Sequence, residues 1–218
     1  MKMFKNKTTM LLAGLAALML SVAVQASPIT LTNQTWANGY ETGSLAGPRT
    51  VTVRAGEFRF DVQGTGETRD AFCIDVTTNL VVPGTFNQVA APASPELTAA
   101  QLGLIGKLYD HHYASISGAT ASAAFQLALW EIIYDPGALN LSTDFRATTG
   151  FDGAKSLAQG WLDGLAGKGA VGRYALTVLE PVDTNQRLLT AARVPEPGTL
   201  ALLGLGLLGA GAIRRRRS

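Results

Sequence analysis

The chain has 218 residues, of which 47% are hydrophobic, 16% are charged and one is a cysteine, and its formal net charge is +2. A single cysteine excludes an intrachain disulfide framework. Three lysines lie in the first seven residues and four arginines in the last five, so the stretch 27–193 holds 11 basic and 15 acidic residues; that acidic body excludes the basic footprint of a nucleic-acid-binding protein.

The first 26 residues read as a leader. Lys2, Lys5 and Lys7 form a basic start, Met10 to Val24 is apolar, and Val24-Gln25-Ala26 offers small residues where signal peptidase inspects the chain. Cleavage is expected after Ala26; an uncleaved anchor is the alternative, but the segment is short for a span. Ile29 to Trp36 reads as a first strand, and "TVTVRAGEFRFDV" (Thr50 to Val62) as a hairpin turning at Ala55-Gly56. "AFCIDVTTNLVV" (Ala71 to Val82) reads as a further strand. Pro92 and Pro95 break the pattern. Leu97 to Tyr113 then carries Leu102, Ile105 and Leu108 at helical spacing. A second helix is expected over Ala121 to Tyr134, stopped by Asp135-Pro136-Gly137, and a third over Ala154 to Leu165. Tyr174 to Leu179 and Arg187 to Ala192 read as closing strands. Strands, then helices, then strands predict one α+β domain over 27–193.

The tail has three parts. Val194-Pro195-Glu196-Pro197 is followed by the uncharged apolar run Thr199 to Ile213 and then by Arg214 to Arg217. As a helix the run would span about 22 Å, short of the ~30 Å hydrocarbon core. Arginines directly after it are expected to stay on the cytoplasmic side, which places the preceding domain outside. Read physically, this is a C-terminal transmembrane anchor. The order of VPEP, apolar helix and arginine cluster resembles the PEP-CTERM sorting signal of Gram-negative bacteria. That resemblance implies recognition of 194–218 by an exosortase, a membrane cysteine protease-transpeptidase. It also implies delivery beyond the inner membrane to the cell surface or extracellular matrix, in the company of exopolysaccharide and biofilm.

Two residues carry the candidate chemistry. Alternation along a strand sends Phe72, Ile74 and Val76 to the core and Cys73 with Asp75 and Thr77 to a more polar face. On the second helix Ser122, Gln126, Leu129, Trp130 and Ile133 share a stripe that faces the domain. A thiol and a carboxamide that meet in a dry site can condense to a thioester with loss of ammonia, driven by proximity and sheltered from water by apolar neighbours. Simpler readings compete. Gln126 could be a buried amide bonded to backbone, with Cys73 a half-buried thiol. His111 and His112 diverge by about 100° on a helix, and no carboxylate or cysteine recurs at ligand spacing, so no metal or other cofactor is expected. A Cys-His hydrolase built on Cys73 lacks any supporting motif. Glu131 and Asp135 read as a solvated helix face.

"FCI" (Phe72-Cys73-Ile74) on a strand, followed about fifty residues later by "FQLALW" (Phe125 to Trp130) on a helix, resembles the thioester domain of Gram-positive surface adhesins. Gln126, Ala128, Leu129 and Trp130 match that family's Gln-x-Ala-aliphatic-Trp motif, and the resemblance runs over roughly residues 51–135. Phe125 departs from it, standing where a small or hydroxyl residue is usual. The resemblance implies a thioester between Cys73 and Gln126, shielded by Phe72 and Trp130, in a protein that attaches to its ligand rather than turning it over as an enzyme. The expected partners are signal peptidase, the exosortase, the membrane through the C-terminal helix, and an extracellular polysaccharide or a surface ligand bearing an amine or hydroxyl; nucleic acid is not among them. The alternative is a non-covalent structural or carbohydrate-binding matrix protein without a thioester.

Overall fold

The computed structural model describes residues 26–195. The leader up to Gln25 and the tail from Glu196 onward, with its apolar run and arginines, lie outside the described residues. Among the described residues no helix is long and apolar enough to cross a membrane.

Among the described residues seven strands and three α-helices make up the fold: β1 (Ala26–Ala46), β2 (Val51–Val62), β3 (Thr68–Cys73), β4 (Gly84–Ala90), α1 (Ala99–His112), α2 (Gly118–Tyr134), β5 (Arg146–Thr149), α3 (Asp152–Leu165), β6 (Tyr174–Pro181) and β7 (Leu188–Arg193). This is the expected α+β class. The sheet order is β2-β3-β7-β6-β4-β1-β5, and β1 pairs with β2 as well. That last pairing closes six strands into an antiparallel ring. β1 can serve three neighbours because it is long: its start pairs with β4, its middle and end with β2, and its last residues with β5.

The expected hairpin over Thr50 to Val62 does not form; β2 runs straight through Ala55-Gly56. Gly56 lies opposite Tyr40, beside a register shift in β1 between Trp36 and Tyr40. A Cβ on Gly56 would stand 2.6 Å from the Gly39 carbonyl oxygen. The glycine therefore permits two backbones to approach at a bulge, and does not mark a turn. The strand expected over Ala71 to Val82 is cut short as well, ending at Cys73. The Asp75 carboxylate accepts hydrogen bonds from the Thr77 N–H at 2.8 Å and the Thr77 hydroxyl at 2.5 Å. This local pairing competes with a sheet ladder and turns the chain. β4 and β5 were not legible: in "GTFNQVA" only Phe86 is buried, and in "RATT" only Ala147.

α1 begins at a capping box, with the Gln101 N–H donating to the Thr98 hydroxyl and the Gln101 side chain accepting from the Thr98 N–H. α2 starts at Gly118, three residues earlier than expected, and is buried from Ser122 to Ile132. A helix buried on all sides is apolar all round, which is why its sequence shows a weaker stripe than its position deserves. α1 and α3 pack on it, as do β1 and β2. It is the central strut of the domain, and Gln126 stands in its middle.

Candidate functional site

The site forms where β3 loses a neighbour. β2 pairs with β3 only as far as Phe58 opposite Ala71. Three residues on, the Ile74 N–H turns toward β7 and donates to the Arg187 carbonyl at 3.1 Å. The Cys73 N–H and C=O face the other way, toward α2. Both are met by one side chain. The Cys73 N–H donates to Gln126 Oε1 at 3.0 Å, and Gln126 Nε2 donates to the Cys73 carbonyl at 2.8 Å. The carboxamide thus takes the place of a missing strand residue, and all of its pairing is with a single partner, across 53 positions of sequence. The structure brings together the two residues that the spacing singled out.

Cys73 was expected on a half-polar face. It is 2% exposed, and its neighbours Ala71, Phe72, Ile74, Asp75 and Val76 are buried too. Both faces of the segment are covered, one by the core and the other by the walls of a cleft, so alternation no longer sorts polar from apolar. The Cys73 Sγ–H donates to the Asp75 carbonyl oxygen at 3.1 Å. Burial pushes the thiol up to about 12, against the smaller opposing pull of that hydrogen bond and of the nearby Trp130 indole. The sulfur is therefore a neutral thiol at physiological pH, and a free thiolate plays no part in its resting chemistry.

Trp130 comes from the next turn of α2 after Gln126 and is 2% exposed. Its indole N–H lies near the thiol but reaches hydrogen-bond geometry with no described residue. Phe72 is fully buried and packs on Phe125 at a ring separation of 4.7 Å. By strand alternation it lies on the face opposite the Cys73 side chain, so Trp130 is the aromatic beside the sulfur and Phe72 backs the helix that carries Gln126. Tyr134, one further turn along the same helical stripe, donates its hydroxyl to the Ile74 carbonyl at 3.4 Å and accepts the Val76 N–H at 3.0 Å. It pins the segment after Cys73, and its i+4 spacing from Trp130 made it findable.

A cleft of about 770 Å³ leads to the site. Its lining includes Cys73 and Trp130 together with Trp36, Arg49, Arg54 and Gln186. No Asp or Glu is among the described residues that line it. Asp75 is turned away into the Thr77 turn. Gln186 had no signal in the sequence; it donates to the Asp75 and Thr78 carbonyls, both at 2.9 Å, and its own carbonyl oxygen is buried without a partner.

The histidines serve elsewhere. His111 Nε2 bonds the Gly169 carbonyl at 2.9 Å, and His112 stacks on Trp161 and meets the Lys168 ammonium at 3.0 Å. Neither touches Cys73 by any hydrogen bond, so a Cys-His dyad does not assemble. Among the described residues no group of three His, Cys, Asp or Glu side chains gathers. Glu131 is not on a solvated face: it is fully buried, one carboxylate oxygen accepts the Asn140 N–H at 2.6 Å, and the other has no partner. All-round burial of α2 is the reason.

Residues 193–217 match the PEP-CTERM protein-sorting motif. This signal marks an exported chain that is processed at the membrane. No curated protein matches the chain. Among solved structures it is similar to the N-terminal thioester domain of the fibronectin-binding protein SfbI from Streptococcus pyogenes (14% identity, TM-score 0.45, covering 72% of this chain and 95% of that one). It is also similar to the N-terminal domain of the pilus tip adhesin Cpa from the same organism (15%, 0.45, 75% and 99%). A third likeness is to the thioester domain of the Staphylococcus aureus TIE protein (12%, 0.43, 76% and 78%).

Proposed function

We propose that Cys73 and Gln126 condense to an internal thioester, through which this exported, exosortase-sorted protein attaches covalently to a component of the cell surface or surrounding matrix. The observation that carries the reading is the clamp on Gln126: both polar atoms of the carboxamide are held by the main chain of the residue that bears the sulfur. In this reaction Sγ leaves the Asp75 carbonyl and attacks the Gln126 acyl carbon. A C–S bond forms, the C–N bond breaks, and the thiol proton leaves with the amide nitrogen as ammonia. No free charge develops overall, which suits a site where burial disfavours the thiolate. Trp130 beside the sulfur keeps water from hydrolysing the product. In this reading the mature domain is 27–193, freed by signal peptidase after Ala26, and 194–218 is the exosortase signal that directs delivery beyond the inner membrane of a Gram-negative cell. The protein reacts once with its ligand and is not an enzyme.

A second reading has an observation in its favour. The same two hydrogen bonds satisfy Gln126 as a buried amide, so the pair could serve only to tie α2 to β3 in a non-covalent matrix protein. Intact mass separates the two. The thioester form weighs one ammonia less than its sequence, takes up methylamine at Gln126, and then yields one titratable thiol. Cys73→Ala and Gln126→Ala each abolish the deficit. A full-mass protein with an unreactive Gln126 leaves the structural reading in place.

A further inference from the structure

We infer that the nucleophile this site accepts is a hydroxyl of an acidic polysaccharide, an assignment that rests on the thioester reading and names its ligand. Three features of the cleft agree. Among the described residues, its only charged lining ones are Arg49 and Arg54. Both are exposed; Arg54 lies over the Tyr40 ring at 5.1 Å, and Arg49 donates to the Thr77 carbonyl at 3.1 Å. Guanidinium pairs with carboxylates through paired hydrogen bonds. An approaching lysine ammonium would instead meet two like charges, with no lining carboxylate to attract it or take its proton.

The deep end of the cleft supplies the second feature. Trp130 presents a buried N–H without a partner and Gln186 a buried carbonyl oxygen without one, and both line the cleft that holds Cys73. Such groups are costly to leave unmade. A hydroxyl can donate or accept, and so suits either group. An ammonium only donates. Trp36, half-buried and packed on Tyr40 and Phe58 at ring separations of 4.5 and 4.8 Å, adds aromatic surface to the wall. The third feature is size: about 770 Å³ has room for a few sugar units.

In the transfer the ligand oxygen attacks the Gln126 acyl carbon. A C–O bond forms, the C–S bond breaks, and the hydroxyl proton ends on the Cys73 sulfur. The product is an ester between Gln126 and the polysaccharide, with a free thiol at Cys73.

The exported protein is incubated with an oligogalacturonate, a neutral malto-oligosaccharide and a lysine-rich peptide. Adducts are read by intact mass and Cys73 thiol titration, each yield taken relative to methylamine uptake by the same sample. The oligogalacturonate adduct should exceed the other two by about tenfold or more and should be cleaved by hydroxylamine. Combining Arg49→Gln with Arg54→Gln should bring it down about tenfold, toward the neutral sugar, as charge-assisted contacts are lost. A peptide adduct equal to or above that of the oligogalacturonate overturns the inference, as does equal reaction with acidic and neutral sugars. If methylamine is not taken up, the thioester reading fails on its own, and calorimetric titration decides the ligand. Preference for oligogalacturonate that the double variant loses supports the assignment; no preference overturns it.

Discussion

Burial raises the Glu57 carboxyl to about 7, outweighing the Tyr113 hydroxyl and Asn38 amide that donate to it. Burial likewise raises Glu131 to about 7, against the Asn140 N–H. In the unfolded chain both ionise near the usual 4.5. Between those values the unfolded state has released protons that the folded state still holds, so stability falls as pH rises from about 4.5 to about 7 and levels off beyond. For Glu57, only 3% exposed, the full change is at most about 3 kcal/mol. Urea unfolding is expected to give a lower free energy at pH 8 than at pH 5, and Glu57→Gln to flatten part of that slope. A wild-type protein more stable at pH 8 would contradict the assignment. Gln126 was legible because an amide in an apolar run demands partners. Glu131, five residues on, was misread because a charged residue at a helix end normally faces water, and nothing in its neighbours announced a helix covered on every side.

Helices were legible as elements through apolar spacing and stops; strands were legible only where apolar residues alternate. The spacing of Leu102, Ile105 and Leu108 and the Asp-Pro-Gly stop bounded α1 and α2 to within a few residues, while β4 and β5 have too little apolar patterning to register. Gly56 misled because a turn and a close strand crossing call for the same residue. Gly56→Ala is expected to lower stability by about 1–3 kcal/mol, since the added Cβ meets backbone that has no room to give; chemical denaturation checks this, and an unchanged midpoint would mean the bulge in β1 can relax. Asp110 in α1 shows the opposite kind of hidden device. Burial alone would raise its carboxyl, yet the N–H groups of Gly172, Val171 and Arg173 donate to it and hold it below the ordinary range. Asp110→Asn should cost about 1.5–3 kcal/mol by weakening these charge-assisted bonds at the entry to β6. The wild-type contribution is present above the unfolded carboxyl value and is lost as pH falls through the lowered folded one. A variant of undiminished stability at neutral pH would show that the 171–173 segment is held by other means.

Across the whole molecule, the tail was the most readable part and the ring the least. The tail carries its message in composition, whereas closure of the sheet depends on β1 reaching β2 and β4 at once, a pairing that no local pattern encodes. Replacing Arg214 to Arg217 by serine is expected to leave the protein unsorted, measured by fractionation of cells that express it; arrival at the same final location without the arginines would break the link between tail and delivery.

β7 ends at Arg193, and the Val194 N–H still bonds back to the Arg173 carbonyl at 2.8 Å, so the domain meets its sorting signal without a slack connector. Six residue pairs, Tyr174 with Arg193 through Leu179 with Leu188, lock β7 to β6. Under the proposed attachment, a cell held at this end and joined to its surroundings through Gln126 would pull along β7 when flow drags on it. The hydrogen bonds of that ladder lie across the direction of tension, so they are sheared together instead of being unzipped one by one, and the strand next to the tether bears load as a unit.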